Sequence, residues 1–237
     1  MVTSLLARRL TEAHRLIQTR IAARTTAQML AAWPLLDLSN LDGTVERWLT
    51  VVMPIVQAQR TQSATATATY LDTFRVLETG SRFTPVRARL APADALTTSL
   101  TVTGPVSLKA NIGRGMPFPQ AVDKALAGVA GAAARFALDG GRETLVETVA
   151  ADPQARGWAR VTSGGACDFC EMLADRGTVY SEQTVDFASH DHCNCTGEPA
   201  YGDGGRPARA FFPSAQRSSE ADRARVRDWI AAHPTSN

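Results

Sequence analysis

A chain of 237 residues with 44% hydrophobic and 20% charged side chains is long enough to bury a full core, which excludes a disordered tail or a fibrous repeat as a description of most of it. A formal charge of +2 is too small for a dedicated nucleic-acid reader, whose lysine and arginine excess is large. No apolar run approaches the roughly 18 residues of a membrane span, and Arg8 and Arg9 follow the first apolar residues rather than precede them, an order unlike a secretory signal, so synthesis in a cytoplasm is expected.

Residues 5–33 place Leu6, Leu10, Ile17, Ile21, Met29 and Leu30 near helical spacing and predict a long amphipathic helix that stops before Pro34. The first 35 residues of the chain hold Arg8, Arg9, Arg15, Arg20 and Arg24 against the single acid Glu12, a basic face suited to an acidic partner or to packaged DNA. A second helix is predicted from Thr44, with Val45, Trp48, Leu49, Val52, Ile55 and Val56 on one side and Pro54 as a kink. The Ala/Thr run after Thr61 continues it toward Tyr70, Leu71, Phe74 and Leu77, although alternating threonine also suits a strand.

Between Gly80 and Pro119 the composition turns to Pro, Gly and Thr, which predicts an irregular connection with a short strand at Leu100-Thr-Val-Thr. Residues 119–138 return to helical spacing through Val122, Leu126, Val129, Ala133 and Phe136. Asp139-Gly-Gly is the expected stop, with a separate helix over 140–149. Small residues such as Gly128 and Gly131 permit close approach of another helix. Residues 157–162 read as a strand, 171–177 as a short helix capped by Gly177, Val179-Tyr180 and Val185-x-Phe187 as short strands, and 220–232 as a docking helix carrying Val226, Trp229 and Ile230. The expected fold is α+β: long helices over residues 1–80, a mixed and helical stretch over 81–156, a small metal-stabilised α+β module over 157–201, and a loop with its helix over 202–237.

All four cysteines fall in that module, as Cys167-Asp-Phe-Cys170 and His190-Asp-His192-Cys193-Asn-Cys195. Two residues between Cys167 and Cys170 let a turn bring both sulfurs to one ion, and alternate side chains of an extended stretch bring Cys193 and Cys195 to one side. Four cysteines are one ligand set. Cys167, Cys170, His190 and one of the two later cysteines are the other, because histidine is a good borderline ligand for zinc. Such an ion would cross-link residues about twenty positions apart and supply folding energy to a module with little core. Two disulfides or unligated thiols are the alternatives. Asp168 disfavours a thiolate and so a redox dithiol, and neither a His-Glu-x-x-His helix nor a deaminase motif is present to make the ion catalytic.

The series Gly165-Ala-Cys-Asp-Phe-Cys-Glu-Met-Leu-Ala-Asp-Arg-Gly-Thr-Val-Tyr180, followed by His190-Asp-His-Cys-Asn-Cys-Thr-Gly-Glu-Pro199, resembles the C-terminal module of MuF-like minor capsid, or head morphogenesis, proteins of tailed bacteriophages, in the form found in actinobacterial phages. The likeness is sharp over about 158–201 and loose upstream, and His190-Asp191 stands where the family usually has His-Pro. It implies a low-copy virion protein at the capsid interior, partnered by the portal or the major capsid protein, acting in assembly or genome packaging and ejection. It also implies that Cys167, Cys170, His190, Cys193 and Cys195 occupy the motif positions of the module.

Members of that group are often described as maturation proteases, a label that needs a nucleophile and a base. Ser163, Ser189, His190 and Asp191 are close only along the chain, and Ser107 and Lys109 sit two apart on what reads as an extended stretch. A structural protein is therefore the expected class and a maturation enzyme the rival.

Overall fold

The computed structural model describes residues 3–162, 166, 168–180, 187, 189–202 and 205–206. Mainly helical, it places a two-stranded sheet at one end of a long bundle. Helix α1 spans Leu5–Ala32, opened by the Ser4 hydroxyl accepting from the Ala7 N–H, and a single 3₁₀ turn, Trp33–Leu35, follows it. Helix α2 spans Leu41–Thr79, capped by the Asn40 side chain at its start and by Gly80 in the left-handed region at its end. Pro54 lies inside α2 on an exposed face, where the Thr50 carbonyl it leaves without a donor is on the solvent side, so the chain continues through it.

The inward face of α1 is only in part its apolar stripe. Leu6, Ile17 and Leu30 are exposed, while Ala7, Thr11, His14, Gln18, Ala22 and Thr25 are buried with Ile21 and Met29. Small and polar side chains let α1 approach α2 and α5, and their polar atoms are answered across the seam. Thr11 Oγ1 meets Tyr70 Oη at 2.9 Å, Gln18 Nε2 donates to Thr67 Oγ1 at 3.1 Å, and Ser63 Oγ donates to Gln18 Oε1 at 2.6 Å.

After α2 the chain runs extended over 82–92 and is held by side chains of helices rather than by a sheet. Val86 and Ala88 N–H donate to Thr148 and Thr144, and Gln57 exchanges two hydrogen bonds with Ala91. The expected strand at Leu100 is instead helix: α3 spans Ala93–Thr101, a wide π turn covers Val102–Val106, and α4 spans Ser107–Gly113. Leu96, Leu100 and Leu108 are fully buried at helical spacing, so burial overrides the β preference of threonine and valine. Pro105 has no N–H for the preceding turn, which suits the widened loop.

Helix α5 spans Phe118–Ala151 without a break. Asp139-Gly140-Gly141 was the expected stop; here the glycines are a close-approach site. A Cβ on Gly140 would lie 2.3 Å from the Arg60 carbonyl of α2, and one on Gly141 would lie 2.5 Å from Thr67 Oγ1. The buried line of α5 runs through Ala121, Ala125, Val129 and Ala133, with Val122, Leu126 and Phe136 only partly covered. Alanine and glycine let α5 pack against both α1 and α2, and Trp33, Trp48, Val52, Leu96 and Leu108 fill the wider end.

Strands β1, Ala155–Val161, and β2, Thr196–Tyr201, pair antiparallel. Between them α6 spans Asp168–Asp175, and Gly177 follows at φ 66°. Tyr180 makes a single bridge to Trp158, while Val185 and the 220–232 segment lie outside the described residues.

Candidate metal centre

Cys170 sits in the first turn of α6, and His190 and Cys193 lie on the segment that enters β2. Cys170 Sγ is 3.6 Å from Cys193 Sγ and 3.7 Å from His190 Nε2. Bonds of about 2.3 Å meeting at a tetrahedral angle place two zinc-bound sulfurs roughly 3.8 Å apart, and a sulfur and a nitrogen slightly closer. Both separations from Cys170 therefore match shared ligation of one ion, and with all three ligand atoms within 4.8 Å of one another, Cys170, His190 and Cys193 can hold a metal ion. His190 Nδ1 is 2.7 Å from the Asp191 carbonyl. Because a carbonyl only accepts, Nδ1 carries the proton and the lone pair of Nε2 faces the sulfurs, as a metal ligand requires.

Cys195 stands beside this triplet, with its thiol against those of Cys193 and Cys170. A hydrogen bond from Cys195 draws the Cys193 thiol down against the effect of burial, with the Arg142 charge assisting, whereas that bond and burial push Cys195 up. Cys167 lies outside the described residues. His192 is apart from the group, at φ 66°, with its ring laid over Gly131 of α5.

The segment is fastened to the bundle by α5. Arg142 is buried, and it donates from Nη2 to the Cys193 carbonyl at 2.6 Å and from Nε to the Cys195 carbonyl at 3.4 Å. Its Nη1 donates to Ser189 Oγ at 2.9 Å and to Asp139 Oδ1 at 2.8 Å. Two turns before Arg142, Arg135 Nε donates to Asp191 Oδ1 at 2.8 Å. Behind the loop, Phe187 stacks on Trp158 with ring centres 4.9 Å apart, and the Arg160 guanidinium lies 4.1 Å from the centre of the Phe187 ring. The middle of β2 is tied down as well: the buried Glu198 carboxylate accepts two hydrogen bonds from Arg206, at 3.1 and 3.0 Å.

Sequence reasoning missed Arg135, Asp139 and Arg142. Their signal was present, since spacings of four and three residues put all three on one face of a helix, but it was hidden by the assumption that the helix stops at Asp139. Of the serines weighed as nucleophiles, the two that the structure describes are engaged in hydrogen bonds. Ser189 donates to Asp139 Oδ1 at 3.1 Å while accepting from Arg142. Ser107 and Lys109 are on α4, not on an extended stretch; Ser107 accepts from Asn111, Lys109 pairs with Asp42, and Ser163 lies outside the described residues.

Fold and site together define a helical protein with a thiol and imidazole cluster fastened to the side of its bundle. The chain belongs to the VG15 protein family, a phage-associated virion gene family, whose profile matches residues 6–211. No curated protein and no solved structure matches it.

Proposed function

We propose that this chain is a minor structural protein of a phage head of the MuF-like kind, interior or portal-associated, which acts in capsid assembly or in genome packaging and ejection and is not an enzyme. Membership of a virion gene family carries the reading, and the form of the site supports a structural role. The ion in this reading is zinc, held by Cys170, His190 and Cys193 with a fourth ligand from Cys195 or Cys167. It supplies a cross-link between α6 and the entry to β2, where few apolar residues are available to do so. The partners are the portal or the major capsid protein, and the exposed arginines Arg8, Arg9, Arg20 and Arg24, with Arg15 beside Glu12, can face the genome or an acidic assembly partner.

The test pairs two measurements. Immunodetection in purified procapsids and mature virions is expected to find the chain in both or in one of them, and absence from both refutes the virion role. Elemental mass spectrometry of the purified protein is expected to find one zinc per chain, and metal-free protein with an intact C-terminal fold refutes the structural ion.

A further inference from the structure

Between α1 and α2 lies an open trough of about 760 Å³, lined by residues of these two helices. Ile17 and Ile21 form one ridge of it, Arg20 and Arg24 a second, and Ala58 and Thr65 of α2 face them. Ile17 is 42% exposed, an apolar side chain that the bundle itself does not use. Neither Arg20 nor Arg24 has an acidic partner among the described residues, and no described residue lining the trough is acidic. On the floor, Gln59 is buried; its Nε2 donates to Gln28 Oε1 at 3.0 Å, and its own Oε1 has no donor among the described residues. The trough therefore combines an apolar ridge, a buried amide oxygen on its floor that lacks a donor among the described residues, and a positive rim with no acidic partner among them.

We infer that this trough is a docking site for an amphipathic helix with an acidic flank, supplied by another protein. Small side chains on α2 leave the depth that a third helix needs to seat a ridge in the groove. Arg20 and Arg24 are four residues apart, so their bases are separated by about 6 Å along α1. That matches carboxylates one turn apart on a helix lying alongside. Anchors spaced at three, four and seven residues would meet Ile17, Ile21 and Ala58, the usual mode of helix-in-groove recognition. A nucleic-acid backbone would satisfy the arginines but would lay phosphates and water over the isoleucines, so a peptide occupant fits both halves of the trough. This inference does not depend on the metal.

The test uses the full chain and a pool of synthetic amphipathic helices whose apolar stripe is varied and whose flanks are all glutamate or all lysine, with binding followed by fluorescence anisotropy. Glutamate-flanked members are expected to bind, more weakly as salt rises, and the R20E/R24E variant is expected to lose about tenfold or more in affinity and to turn its preference to the lysine-flanked members. I17D, whose side chain is exposed in the free protein, is expected to weaken binding with no change in helix content or melting temperature. Three results would each overturn the proposal. One is that no glutamate-flanked helix binds better than its sequence-scrambled control. Another is that R20E/R24E leaves affinity and preference unchanged. The third is that duplex DNA, but no helix, binds in a way that Arg20 and Arg24 control.

Discussion

Protonation of His14 is a perturbation whose size follows from the fold. Its ring lies parallel to that of Tyr70, with centres 4.3 Å apart, in the polar seam between α1 and α2. Nε2 is 3.4 Å from Thr67 Oγ1, and Nδ1 has no hydrogen-bond partner among the described residues. Burial holds the pKa down to about 4 from an ordinary 6.5, and at 3% exposure solvent screening does little to reduce the effect. Since the folded value is the lower one, the unfolded chain binds more protons between these two values. The contribution of neutral His14 is thus complete above pH 6.5 and is lost as the pH falls toward 4. The full displacement corresponds to about 3 kcal/mol, of which about 2 kcal/mol disappears between pH 7 and pH 5. His14→Phe preserves the stack on Tyr70 and cannot take a proton. Urea unfolding of both proteins at pH 7 and pH 5 is expected to show the parent losing about 2 kcal/mol more than the variant, while groups common to both cancel. Parallel losses in the two proteins would show that the ring is not sealed in the seam and would refute the reasoning.

Gly140→Ala is expected to destabilise by about 1–3 kcal/mol despite its gain in helix propensity, because the new methyl meets backbone of α2. Gly131→Ala meets only the ring of the exposed His192, which can swing aside; thermal melts of the pair are expected to place it within about 1 kcal/mol of the parent. Arg142→Met, which leaves the Cys193 and Cys195 carbonyls without their donor, is expected to lower zinc affinity about 10–100-fold in competition with a chromophoric chelator; unchanged affinity would mean that the loop is set without α5. Cys193→Ser is expected to abolish zinc retention and to expose the 187–202 segment to limited proteolysis while α1, α2 and α5 remain protected.

The long helices were legible where apolar residues fall on the buried side, as at Trp48, Val52, Tyr70 and Phe74 of α2. On α1 the same criterion was right for Ile21 and Met29 and wrong for Leu6, Ile17 and Leu30. A hydrophobic count ranks Leu6, Ile17 and Leu30 above Thr11, His14 and Gln18, yet the buried line is the polar one, because the residues that answer it, Ser63, Thr67 and Tyr70, are on another helix. The length of α5 was lost for a related reason: glycine pairs are read as a stop, whereas here they mark where two helices touch, which only the packing reveals. The cysteine and histidine spacing pointed to a cluster, of which Cys170, His190 and Cys193 come together, since ligand spacing is a local property. What fastens that cluster to the bundle was not legible, because Arg142 and Cys193 are 51 residues apart.

Helix α5 links the two halves of the molecule in a way that gives the cluster a definite relation to the bundle. Its Gly140 and Gly141 seat it against α2, and the next residue, Arg142, reaches the carbonyls of Cys193 and Cys195. The glycine contact therefore fixes the height at which that guanidinium emerges, and the guanidinium fixes the backbone of two cysteines. Ligands held this way lose little freedom when an ion binds, so more of the binding energy remains for holding α6 against β2. The relation runs in reverse as well, since an ion that rigidifies the 190–195 backbone also holds the acceptors that Arg142 and Arg135 need. Were the cluster merely appended to the helices, loosening α2 against α5 would leave zinc affinity untouched. With α5 as the shared element, Gly140→Ala should weaken it together with stability, and that joint loss separates a coupled module from an appended one.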